Sequence, residues 1–115
     1  MFLLRLCAAD HTLLMPYSLI YDVPAPIEAY DAVHATIMAA VGDIETGMLL
    51  HIGRPTETGF QIIEVWESKE HSDRFGREIA APAIAKAFGP DAQIGPPPVE
   101  FELRGLVVPS AGLAI

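Results

Sequence analysis

Gly59-Phe60-Gln61-Ile62-Ile63-Glu64-Val65-Trp66-Glu67-Ser68 runs directly into Lys69-Glu70-His71-Ser72-Asp73-Arg74-Phe75, and this stretch decides the fold. A turn glycine opens it, β-branched and aromatic residues fill it, and a serine placed to cap a helix closes it. It reads as a strand that hands over to a helix. Because strand side chains alternate, Phe60, Ile62, Glu64 and Trp66 share one face, and Gln61, Ile63, Val65 and Glu67 share the other. Both faces are largely apolar in the middle. Such a strand needs helices on one side and a second apolar layer on the other, which for so short a chain is most economically a second copy of itself.

Working outward, Tyr17–Val23 reads as the first clear strand, with Tyr17, Leu19, Tyr21 and Val23 on one face. Pro24-Ala25-Pro26 ends it, since proline cannot donate to a ladder and suits the first turn of a helix. From Pro26 to Val41 the residues Ile27, Tyr30, Val33, Ile37, Met38 and Val41 recur at three- and four-residue steps. That spacing predicts an amphipathic helix with one buried stripe, stopped at Gly42. Gly47–Gly53 is a second strand, joined to the quoted one through the turn-rich Arg54–Gly59 as an antiparallel hairpin. Beyond Ser68 the second helix places Phe75, Ile79, Ala83 and Ala87 on one side. Pro82 is expected to kink or divide it, and Gly89-Pro90 to end it. Past the stiff Asp91–Pro98 loop, Val99–Val108 reads as the last strand. The order β-α-β-β-α-β is that of a ferredoxin-like α+β protomer. Residues 1–15 form an N-terminal extension that is an edge strand, a short helix or an arm on a neighbour. The domain spans 16–108, and the apolar tail 109–115 is expected to pack on a partner.

A chain of 115 residues makes one domain with a single core. About half of it is apolar and its mean hydropathy is positive. That excess points to an oligomer interface or an apolar cavity. A formal charge of −8 with seven scattered Lys and Arg residues argues against nucleic acid and anionic membranes, which need clustered cations. No run approaches the ~20 apolar residues of a membrane span. The single cysteine, Cys7, makes no internal disulfide, consistent with a cytoplasmic setting. The histidines show neither HxH nor HxxxH spacing, so no metal site is expected.

Val65-Trp66-Glu67-Ser68 at the strand end, Arg74-Phe75 in the next helix, and Ala81-Pro82-Ala83-Ile84 before Gly89 resemble the dimeric α+β barrel superfamily. More narrowly, they resemble the small proteins grouped with the antibiotic biosynthesis monooxygenases. The likeness covers about residues 16–108. It implies a homodimer in which two sheets pack face to face with the helices outside. It also implies a cleft between helices and sheet for small aromatic molecules, some of them oxidised with no metal or flavin cofactor. The haem-degrading branch pairs its tryptophan with a first-strand asparagine and a helix histidine, where this chain has Tyr21 or Asp22, and Gly76. The quinone-forming oxygenases use a tryptophan and polar first-strand groups, matched in type by Trp66 and Tyr21.

Glu64 shares the face of Trp66 between apolar neighbours, so its carboxylate is paired, hydrated or protonated. It is a candidate general base, or else a hydrogen-bonded structural residue. His71, in the first turn of the second helix, either reaches the cleft mouth as a second candidate base or is simply solvated. Trp66, Tyr21, Tyr30, His34 and Phe75 are the candidate substrate-binding residues; Trp66 is first of all a core residue covering the strand end, a role that does not exclude lining a cleft. His51 is expected on the barrel-interior face, serving the dimer interface in preference to catalysis. Two functions follow. One is a cofactor-independent, monooxygenase-like enzyme, or a related isomerase or cyclase, acting on a small hydrophobic or aromatic molecule. The other is a non-catalytic homodimeric ligand-binding or structural protein.

Overall fold

The computed structural model describes residues 16–42, 44–92 and 95–115; the expectations for residues 1–15, Cys7 included, lie outside them. The fold is α+β. Strand β1 (Tyr17–Val23) leads to helix α1 (Ile27–Val41), and β2 (Met48–Pro55) and β3 (Phe60–Trp66) follow as a hairpin. Next come α2 (Lys69–Phe75), a π-wound turn (Gly76–Ala80), α3 (Ala81–Phe88) and β4 (Val99–Phe101). The first four strands make one antiparallel sheet in the order β2-β3-β1-β4. Among the described residues no helix is long and apolar enough to cross a membrane.

The quoted stretch behaves as its alternation demands. Glu64 and Trp66 are buried on one face and Val65 on the other. Leu19, Trp66 and Phe75 form the core cluster, with Tyr17, Tyr21, Ile37, Val41 and Ile79 against it. Ser68 caps α2, its side chain accepting from the His71 backbone N–H. Without a backbone N–H, Pro82 breaks the regular winding, and the chain answers with the π turn just before it. The extra residue rotates α3, so that Ala83 is buried and Ala87 is exposed. This corrects the expected Ala87 on the buried side.

Three further expectations change. The stripe of α1 is not buried: none of its residues is fully covered, and Met38 is 58 % exposed, because a cavity lies between this helix and the sheet. Strand β2 runs on through Arg54 and Pro55, leaving a shorter turn closed by Thr56 N–H donating to the Gly59 carbonyl at 2.8 Å. Pro55 is tolerated at the end of an edge strand. Finally, Val99–Val108 is not one strand. Its second half turns to the tail, where β5 (Val107–Val108) pairs with β6 (Leu113–Ala114) around a 3₁₀ turn and Gly112 at φ 69°. Leu106 and Ile115 exchange backbone hydrogen bonds of 3.0 and 2.9 Å. A local hairpin satisfies these groups at little loop-closure cost.

Candidate functional site

Strand β3 holds Glu64 between Leu19 of β1 and His51 of β2. At 8 % exposure a carboxylate needs partners, and both oxygens have them. Trp66 Nε1–H donates to Oε1 at 3.1 Å, and His51 Nδ1 lies 3.0 Å from Oε2. The network therefore assigns the imidazole proton to Nδ1. Nε2 is left to accept from the Tyr30 hydroxyl, 2.7 Å away. Tyr30 also meets His34 Nδ1 at 3.4 Å. The three rings lie nearly parallel, the Tyr30–His34 centroids 5.3 Å apart and the His34–His51 centroids 5.8 Å apart.

Local sequence builds this chain of contacts. Tyr30 and His34 are one helical turn apart on α1 and so share a face. Gly53, two residues beyond His51, lets the phenol lie flat on β2: a Cβ there would collide with the Tyr30 ring. Burial first, then the charges of Asp31 and Glu64, raise the Tyr30 pKa. The phenol thus stays a donor at neutral pH. Tyr21 is pushed up to about 12, again by burial first and then by the Glu64 and Asp73 charges.

These groups open onto a cavity of about 430 Å³ between the sheet and both helical segments. Tyr21, Tyr30, His34, Glu64, Trp66 and Phe75 all line it, and Phe75 tilts against the indole at a 5.0 Å centroid distance. Val33, Ile37, Met48 and Ile84 supply apolar wall. Among the described residues lining it there is no Lys or Arg, so the cavity suits a neutral apolar molecule and offers an anion no counter-charge. Phosphate-bearing ligands are disfavoured.

His71 stands elsewhere. Its Nδ1 is 2.6 Å from the Ser68 hydroxyl, and its ring lies against Gly47, where φ is 83° and a Cβ would collide with it. It holds the start of α2 and does not line the cavity. His51 takes the place beside the carboxylate, a correction to its expected position on the opposite face. The register of β2 against β3 shifts between Met48 and Leu50. This bulge puts Met48 and His51 on the same face although their numbers predict opposite ones. The readable signal was the hairpin: a four-residue turn between Pro55 and Phe60 pairs His51 with Glu64 by counting back.

Among the described residues no three His, Cys, Asp or Glu side chains gather to hold a metal ion. No family model matches this chain, and neither a curated protein nor a solved structure matches it.

Proposed function

We propose that this chain is a cofactor-independent, monooxygenase-like enzyme, or a related isomerase or cyclase, acting on a small hydrophobic or aromatic molecule with an acidic O–H or C–H. The observation that carries this reading is the Tyr30–His51–Glu64–Trp66 hydrogen-bonded chain facing an apolar cavity. A bound substrate gives its proton to the Tyr30 oxygen as Tyr30 passes its own to His51 Nε2. Glu64 holds the resulting imidazolium, and the indole N–H fixes Glu64. The raised Tyr30 pKa suits a relay and not a standing phenolate. The substrate anion then rearranges or meets dioxygen. A phenol taken to a quinone balances with one O₂: one oxygen atom stays on carbon, and the other leaves as water with two substrate hydrogens.

The same reading takes the protomer as a ferredoxin-like half of a dimeric α+β barrel. It is supported by the order β2-β3-β1-β4 and by helices that share the cavity face. On the other face Ile52, Ile63, Ile20 and Val99 form a cross-strand row, its ends 42 % and 64 % exposed, a surface suited to a second copy.

The test is oxygen uptake and product analysis with anthrone and β-naphthol, without added metal or flavin, on wild type, Glu64→Gln and Tyr30→Phe. Turnover is expected to fall about a hundredfold or more in both variants with the fold intact. A fully active Glu64→Gln removes the carboxylate from the mechanism. Binding without turnover in wild type identifies a ligand-binding protein instead.

A further inference from the structure

A second hollow of about 450 Å³, wide open to solvent, lies beside the first. Tyr21, Ser72 and Gly76 line both. Ser72 and Gly76 are one turn apart and therefore lie along one edge of the helix, and Tyr21 belongs to β1. The groove beyond them is walled by Tyr17, Leu19, Ala81 and Pro98. Two of its polar groups already have partners: the Tyr17 hydroxyl donates to Glu100 at 2.6 Å, and Asp73 pairs with Lys69 at 2.9 Å. Arg77 is exposed to water. The surface left for a ligand is chiefly apolar.

Gly76 is the informative residue. Its φ of −58° is ordinary helix, so the backbone does not call for glycine, and glycine inside a helix weakens it. Nothing lies within 4 Å of where its Cβ would stand, so no neighbouring atom requires the missing side chain either. The helix widens into its π turn at the same residue, a local form that recurs at functional sites. A glycine needed by neither backbone nor packing, bordering two hollows, reads as clearance for something that passes across it.

Resting on the cavity reading above, we propose that cavity and groove are two halves of one site for a neutral phenol or enol carrying an unbranched alkyl tail. The hydroxyl-bearing ring meets Tyr30 in the cavity, and the tail crosses Gly76 to lie along Leu19, Ala81 and Pro98.

Isothermal titration of the full chain with para-ethyl-, para-butyl- and para-hexylphenol tests this, using wild type, Gly76→Ala, Gly76→Leu and Tyr30→Phe. Wild-type affinity should climb about two- to fourfold per methylene, the upper figure being full burial. In Gly76→Leu the hexyl-over-ethyl affinity ratio should drop at least tenfold, with Gly76→Ala between the two. Thermal melts of both variants should match or exceed wild type, since each improves helix propensity. An unchanged ratio in Gly76→Leu, or no chain-length gain in wild type while para-ethylphenol binds, overturns the tail site and leaves the cavity reading standing. If no phenol binds, or Tyr30→Phe binds all of them as wild type does, the cavity reading falls and the tail site with it.

Discussion

Strand β3 carries a polar ladder on each face. Toward the helices the buried Glu64 and Trp66 join His51, which is only partly covered. On the opposite face Gln61 accepts from Arg54 Nε at 2.9 Å and donates to Asp22 at 3.1 Å, both contacts exposed. Each ladder reaches across to β2; the second contact stays within β3 at Trp66 on the inner face and crosses to β1 at Asp22 on the outer, and the surroundings differ. In the outer ladder water replaces any partner that is removed. At the buried Glu64 and Trp66 it does not, so the carboxylate and the indole depend on the inner ladder for their hydrogen bonds. Proton-transfer chemistry belongs where polar groups are held in place beside an apolar cavity, and here that is the inner ladder.

The hardest blow to this contrast is Glu64→Leu. It strands the buried indole N–H and removes the partner of His51 Nδ1, and should cost about 2–3 kcal/mol in urea unfolding. A loss below about 0.5 kcal/mol would put the inner ladder on a par with the outer. A finer test uses alkali. Tyr17 and Tyr21 rise from 10.0 to about 12 on folding, whereas the unfolded chain releases those protons near pH 10. Their contribution is therefore complete below about pH 10 and drains away as pH climbs toward about 12. Urea midpoints measured across that window should fall, less steeply in Tyr21→Phe; a flat profile would place Tyr21 in water. The smallest effect is reserved for Gln61→Ala, expected within about 0.5 kcal/mol of wild type. A larger loss in the same unfolding assay would make the outer ladder structural.

Much of this architecture was legible in residue order, because each element carries its own signal. Alternation marked β1 and β3, three- and four-residue spacing marked α1, Ser68 marked the start of α2, and Pro82 marked the interruption. Glu64 and Trp66 were placed on one face by parity alone. What escaped depends on contacts made at a distance. A buried and an unburied apolar stripe look the same in sequence, so nothing in α1 announced the space beneath it. The tail's pairing with Val107 and Val108 rests on partners, not propensity. His51 escapes a reading by parity with Leu49, which leaves one extra residue uncounted, although the hairpin turn pairs it with Glu64, and His71 is close to Trp66 in sequence without lining the cleft.

That uncounted residue, Leu49, makes one strand obey two rules. From Leu50 onward the hairpin turn governs which side chains look inward; before it, the order is inverted. Gly47 belongs to the inverted part, and it both seats the His71 ring and accepts the Glu67 backbone N–H at 2.8 Å. Drawing that leucine into a regular ladder would leave the imidazole facing its carboxylate, yet would set Leu49 opposite Trp66, turn Met48 out of the cavity wall and unseat the helix that begins at Ser68. The floor of the cavity and the anchoring of its far wall are thus tied together by one unpaired residue of the bulge, a position that contributes no chemistry of its own.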